Sequence, residues 1–585
     1  MAMTLPRPPI VINFSKNIPP SHISAAKKKN LCNCVDTMTS EFETGQAETA
    51  FTEEFDFIII GGGSSGCVLA NRLSQNTKYR VLLLEAGTGD MHPFIHWPAA
   101  FPRLFSSNFD WGITTQVQEN LNGRSILFPQ GKVLGGSSSI NAMCWIRGMQ
   151  ADFSEWESKA GSDWSPENVL PFFHKAEKLL SAEENGNTNF ADDGMIAISD
   201  QRDPREITLK FIETARHSAL EKDPNRSPGD EANGAHLSLV TQKNGRRVSV
   251  ADAYLKKVMN RSNLVVRMGA TCHKILFRQK KAVGVSYAVG RSHSLTASAK
   301  HEVIVCAGAL STPAILMRSG IGNANALQKL GIDVVGENKE IGFNLKDHIT
   351  AGIAVSTPGF ESIAKAGSPA QILKYALRRK GMLTSPVCEA YAFYKSDGTL
   401  ETPDMEMIFL PAAFLGEGKA IPTMDAATLG AVLLCPKSSG TVSITSPDPK
   451  ELPAVNPNYL SDSEGLDRDR LYKGVSFLLE LLQLEPLKSA TGEMIAPAAG
   501  KKMSAGEIAE EAINTLAQTL YHPVSTCRMG TDASSCVTPE LSLRGFENLR
   551  VADASVMPST VRGHTNAATV MIAEKAAGYI LKDAQ

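Results

Sequence analysis

Three glycines at the spacing G-x-G-x-x-G, Gly61, Gly63 and Gly66, follow directly on the apolar run Phe57-Ile58-Ile59-Ile60. They lead into Cys67–Leu73, whose apolar residues recur at helical spacing. In a strand–turn–helix unit the first glycine permits the tight turn, the second lets a pyrophosphate approach the main chain, and the third packs helix on strand. Ser64 and Ser65 lie in the glycine turn, and the start of the helix that follows supplies unpaired N–H groups and a positive dipole end to the phosphates. A second apolar run, Val81–Leu84, ends in Glu85, nineteen residues beyond Gly66, where a carboxylate can bind ribose hydroxyls. That carboxylate would repel a 2′-phosphate, so FAD or NAD is expected rather than NADP. The ten cysteines contain no CxxC pair and no Cys/His spacing suited to a metal. They read as reduced, mostly apolar thiols in a reducing compartment; neither a disulfide-stapled fold nor a metal site is expected.

The elements that must position these groups fill a long chain. At 585 residues it predicts about three or four units, or fewer that are interleaved. Hydrophobic residues make up 43% and charged residues 21%, a globular composition, and the net charge of -2 gives no pull toward nucleic acid. No apolar stretch is long enough for a transmembrane span. Residues 1–54 differ from the rest. Met1 to Val35 carries Arg7, Lys16 and Lys27 to Lys29 but no Asp or Glu. It reads either as a transit peptide, placing the protein in a plastid or other organelle, or as a tail on a cytoplasmic protein.

Further motifs decide between the dinucleotides. Gly131–Asn141 holds a second glycine-serine loop, Gly308–Gly322 a Gly-Ala-Leu-Ser-Thr-Pro segment, and Gly342–His348 reads Gly-Phe-Asn-Leu-Lys-Asp-His. Near the end comes Tyr521-His522-Pro523-Val524-Ser525-Thr526-Cys527-Arg528-Met529-Gly530. In this order, from Phe55 to Asp583, the chain resembles the glucose-methanol-choline (GMC) oxidoreductases, its choline and alcohol dehydrogenases in particular. The resemblance implies an α/β fold: a doubly wound, Rossmann-like FAD domain interleaved with an α+β substrate domain built on an antiparallel sheet. The FAD domain would take residues 55–150, 241–350 and 516–585; the substrate domain would take 351–515, with 151–240 mainly substrate-domain and connecting segments. Gly135, Ser137, Asn141 and Ala142 would lie against the flavin. Val265, Asp553, Ala554 and Asn566 would complete the FAD contacts. Ile140 stands where some relatives carry a tethering His, so the FAD is expected to be non-covalent.

Oxidising an alcohol removes a proton from oxygen and a hydride from carbon. By resemblance His522 is the catalytic base or alkoxide stabiliser, and Asn566 the second member of the pair, donating from its amide. His564 falls out of register with that pair and is expected to face away or line the other side of the flavin. His92, His96, His236 and His348 are given packing, capping or surface roles, with a hydrogen bond within the flavin domain as a further role for His348. The electron acceptor, O₂ or a quinone or carrier, and the oligomeric state stay open.

Three residues bear on the substrate. Glu389 aligns where choline-type relatives hold an ammonium, with Tyr391 and Phe393 close in sequence. Cys388 matches the functional Cys of a light-driven fatty acid photodecarboxylase branch of the family. That branch's carboxylate-binding Arg is replaced by Ile408, and an alkyl group cannot substitute for a guanidinium. A cyanohydrin lyase of the same fold is a further alternative. The apolar run Leu410–Leu415 suits either a pocket wall or the core.

Overall fold

A computed structural model describes residues 51–180, 194–218, 234–290, 293–414, 416, 424–497 and 502–585. The expected tail or transit peptide falls almost wholly outside the described residues. Regular structure begins slightly earlier than the sequence suggests, because the first strand starts at Glu53.

The nucleotide-binding half is built on a sheet whose central strands are parallel. Strand β1 (Glu53–Ile60) lies between β2 (Val81–Glu85) and the long strand Leu295–Val305, with Leu264–Met268 beyond β2. Phe57 to Ile60 and all of β2 are buried, as the unbroken apolar runs of strands covered on both faces require. Leu295–Val305 has two partners on its far side. Its amino-terminal part pairs antiparallel with Lys281–Val289, and its carboxy-terminal part pairs parallel with Leu549–Val551, close to the end of the chain. Helix α1 (Ser64–Leu73) packs against the last helix, Thr565–Asp583.

The second sheet is antiparallel. Its order is Met494–Ala496, Ile349–Ser356, Ala426–Leu433, Met405–Leu410, Ala390–Tyr394 and Ala235–Leu237, with Gln518–Thr519 added beside Ile349–Ser356. Helix Leu466–Leu481 covers one face, where Leu471, Val475 and Leu478 join a core with Met405, Met407 and Leu429. The expected α/β architecture, a doubly wound dinucleotide domain interleaved with an antiparallel-sheet domain, is therefore the one observed. No helix among the described residues is long and apolar enough to cross a membrane.

Candidate active site

One cavity of about 640 Å³ runs between the two sheets, and most of the expected site residues line it. At one end it is walled by main chain. Gly61 has φ +103°, and a Cβ there would stand 2.5 Å from the Cys306 carbonyl oxygen. On Gly66 a Cβ would come within 1.8 Å of the Gly61 oxygen. Gly63 differs: its nearest neighbour would be the Gly136 Cα at 3.9 Å, so its missing side chain leaves room in the cavity, not against protein. Ser65 lies beside it with a buried Oγ that has no protein partner. Glu85 accepts N–H bonds from Gly62 (2.8 Å) and Gly87 (2.7 Å), and burial raises its pKa to about 7. On the opposite wall buried Asp553 accepts from Gly308 N–H and from the Thr312 hydroxyl.

These features fit a dinucleotide. The space at Gly63 and the unsatisfied Ser65 hydroxyl suit a pyrophosphate at the start of α1. Glu85 retains lone pairs for ribose hydroxyls. Val265 does not reach the cavity, since the strand carrying it pairs along β2. Ala270, Thr271 and Cys272, on the next strand, line it instead. Gly135 also stands behind the wall formed by Gly136 and Ser137.

The second glycine-serine loop is fixed by a residue that the sequence did not single out. Arg247 is buried and donates to the Asn141 carbonyl oxygen (2.6 Å), the Asn141 Oδ1 (2.6 Å) and the Ser138 carbonyl oxygen (3.2 Å). Burial lowers its pKa to about 9. Asn141 and Ala142 are thereby held at the cavity wall.

The other end of the cavity is walled by side chains. His522 follows Tyr521, which has φ +67°, and precedes Pro523. These residues interrupt an antiparallel pairing in which Leu520 N–H donates to the His348 oxygen and Val524 and Lys346 exchange bonds. Asp347 Oδ1 accepts the His522 N–H (2.8 Å), so the break leaves that buried donor paired. The pairing sets His348 against His522, their Nδ1 atoms 2.9 Å apart.

The proton positions follow from the partners. His348 Nε2 lies 3.0 Å from the Leu434 carbonyl oxygen, which can only accept, so Nε2 carries a hydrogen. Burial, with the positive charge of His564 as a further cause, lowers the His348 pKa to about 3, keeping the ring neutral. Its Nδ1 is therefore an acceptor, and His522 donates from Nδ1–H. Burial also lowers the His522 pKa, with His564 and His348 acting in the same direction. Neutral His522 thus presents Nε2 as a bare lone pair.

Asn566 lies in the first turn of the last helix and lines the same cavity. Its Oδ1 accepts from the Ser64 hydroxyl (2.8 Å), which leaves the Nδ2 hydrogens as donors. His564, expected to lie apart, is in the site. Its ring centroid is 4.9 Å from that of His522, and its Nε2 is 3.3 Å from Glu406 Oε1. His348 does make the hydrogen bond expected of it, and its partner there is His522. The signal was present in Asp347-His348, but only the pairing with residues 518–524 makes it legible.

The substrate residues separate. Cys388 and Ile408 line the cavity, as do Leu410 and Phe414; Leu415 lies outside the described residues. Glu389 does not line it. Glu389 is fully buried and accepts from Arg205 N–H, the Thr208 hydroxyl and the Ser385 hydroxyl. Val387, with φ +69°, turns the chain just ahead of it. The carboxylate therefore cannot meet a substrate ammonium, and buried Tyr391 and Phe393 form no aromatic wall in the cavity.

With this geometry in place the comparisons are direct. GMC oxidoreductase family models match residues 55–350 and 436–573. An uncharacterised GMC-type oxidoreductase of Mycobacterium tuberculosis is 42% identical, over 90% of this chain and 99% of its own length. The alcohol dehydrogenase [acceptor] of Pseudomonas putida is 38% identical, over 90% and 96%. The crystal structure of pyridoxine 4-oxidase from Mesorbium loti superposes with a TM-score of 0.80 at 29% identity, covering 89% of this chain and 98% of that one. The chain belongs to the GMC oxidoreductase family.

Proposed function

We propose that the protein is an FAD-dependent oxidoreductase converting the CH–OH group of a small or medium alcohol to a carbonyl. The observation that carries this reading is the bare Nε2 of a neutral, tautomer-fixed His522 in the same cavity as the Gly61–Gly66 cradle. Gly61, Gly63, Ser64, Ser65, Gly66 and Glu85 would hold the dinucleotide from one side, with Asp553 and Ala554 on the other. Gly136, Ser137, Asn141 and Ala142 would lie against the flavin. Ile140 offers no nucleophile, which supports non-covalent binding. Bound FAD supplies the hydride acceptor.

The chain's own residues handle the proton. His522 Nε2 accepts it from the alcohol oxygen, while Asn566 Nδ2–H donates to that oxygen as negative charge develops on it. His348, anchored on the Leu434 carbonyl, keeps the His522 ring from turning its N–H toward the substrate. The His564–Glu406 pair stands beside the positive charge that His522 acquires. Leu410, Phe414, Ile408 and Cys388 give the substrate region an apolar character that suits an uncharged carbinol. Electrons would leave to O₂ or to a quinone or carrier protein.

The test is flavin bleaching by a panel of alcohols in anaerobic darkness. Reduction by aliphatic or aromatic alcohols supports the reading. Failure across the panel, with light-driven CO₂ release from a fatty acid or cyanohydrin cleavage without flavin reduction, would replace it.

A further inference from the structure

Helix Pro369–Arg378 is turned inside out relative to an ordinary surface helix. Pro369 occupies its first turn, and the Ser368 hydroxyl accepts the Gln371 N–H at its start. Only Tyr375 is buried. Ile372, Leu373 and Leu377 are 37%, 59% and 74% exposed. Spaced at three and four residues, Pro369, Ile372, Leu373, Ala376 and Leu377 form one outward stripe. An amphipathic helix that folds to bury its apolar side would show the opposite arrangement.

The charged residues of this helix have one sign. Lys374 lies at one edge of the stripe, Arg378 lies on the other side of the helix, and Arg379 and Lys380 follow at its end. Lys374 reaches Asp203 at 3.2 Å, and the Arg379 guanidinium lies over the Tyr375 ring. From Ser362 to Cys388 there are five Lys and Arg residues and no Asp or Glu, in a chain whose net charge is only -2. The stripe is a convex ridge, not a groove. A ridge of leucines edged by Lys and Arg suits the plane of an anionic lipid surface, where the apolar side enters the acyl boundary and the cations meet headgroups.

Its seat gives this position a further meaning. Tyr375 packs against Trp97, with ring centroids 6.1 Å apart. Trp97 leads into the turn Pro98–Leu104, and Phe101 and Phe105 of that region line the cavity. We propose that helix Pro369–Arg378 is a peripheral docking element that lays its Leu373–Leu377 stripe into an anionic bilayer beside the cavity wall. Docked this way, the protein exchanges apolar molecules with the bilayer across a short path.

The experiment is flotation of the full-length, FAD-loaded protein with vesicles of phosphatidylcholine alone or with phosphatidylglycerol added. The proposal expects co-flotation with the anionic vesicles only, weakened by salt. Arg378→Gln/Lys380→Gln should reduce partitioning about fivefold per cation removed. Leu373→Gln/Leu377→Gln should reduce it by roughly tenfold or more. Both sets of side chains are exposed, so flavin absorbance and melting temperature should match the parent protein. No binding by the parent protein overturns the proposal. So does undiminished binding by the Leu variant, which would place the contact elsewhere, for example on the basic first 35 residues. Conversion of an oligomer to a monomer by the Leu variant, with flotation unchanged, would make the ridge a subunit interface and also overturn it.

Discussion

At its nucleotide end the cavity meets the main chain of one short turn, Gly61 to Gly66, whereas its histidine end depends on groups from four separated segments, with His522 and His564 at the wall and His348, held by the Leu434 carbonyl, behind them. His348, Leu434, His522 and His564 come from different elements, and the link that matters most, between the rings of 348 and 522, spans 174 positions in sequence. The first end works because side chains are absent. The second works because side chains are present in one protonation state and one orientation. The two ends should therefore fail differently when altered.

The largest effect is expected at the glycines. In Gly66→Ala the new Cβ meets a main-chain oxygen at 1.8 Å that cannot move without unseating β1. This variant should yield no folded flavoprotein, read as loss of soluble yellow protein. Gly63→Ala refines the contrast, since nothing in the protein lies within 3.9 Å of its Cβ. Its apoprotein should melt like the parent apoprotein yet take up little FAD in a flavin titration. If both variants behaved alike, the space at Gly63 would not be reserved for a ligand.

Next comes the base. His522→Ala should slow anaerobic flavin reduction by about 10²–10⁴ while FAD stays bound. Reduction at the parent rate would remove His522 from its role. The acid limb of the pH–rate profile should lie below pH 6.5, because burial lowers the His522 pKa from 6.5 and only the neutral ring can accept a proton. Activity is thus retained above that pH and lost as pH falls through the folded value.

His348→Leu should cost on the order of 10–100-fold in the same rate, as loss of an orienting partner does elsewhere. It should also shift the acid limb, since His348 Nδ1 is the acceptor for the His522 Nδ1–H and its loss changes the balance between the neutral and protonated ring. A purely packing residue would lower stability without moving the limb. His348 has a stability signature of its own. Its pKa falls from 6.5 to about 3 on folding, so its contribution is complete above pH 6.5 and declines as pH drops toward 3.

The smallest kinetic effect is expected at Glu389→Gln. The carboxylate faces Arg205, Thr208 and Ser385, not the cavity. The variant should lose thermal stability, yet leave the KM for any turned-over alcohol, amino alcohols included, unchanged. A selective rise in KM for a cationic alcohol would return Glu389 to the substrate site.

The same contrast explains what could be read from the chain. Gly61, Gly63, Gly66 and Glu85 were legible because strand, turn and helix are consecutive and each glycine answers a local demand. Their order alone was enough to predict the strand–turn–helix unit and the strand after it, whereas the doubly wound sheet around them came from the family resemblance. Val265 does not line the cavity and Cys272, seven residues on, does, because two strands, Leu264–Met268 and Ala270–Arg278, follow one another in sequence and only their pairing decides which one reaches it. Glu389 failed because an alignment places a residue and not its side chain: Val387, at positive φ, turns the chain just ahead of the strand, and the carboxylate goes to Arg205, Thr208 and Ser385. The partner of His348 and the role of Arg247 were missed for another reason. Each acts on a residue more than a hundred positions away, and no periodicity links them.

The strand Leu295–Val305 binds the chain's beginning to its end, through β1 on one side and Leu549–Val551 on the other. Asp553, Ala554 and Asn566 follow that last strand, so the far wall of the cradle is made hundreds of residues after the glycine turn. A nascent chain can form the turn early but cannot enclose a dinucleotide until that wall has emerged. A premature stop before residue 549 would therefore leave the turn intact and remove the far wall and the Asn566 amide together.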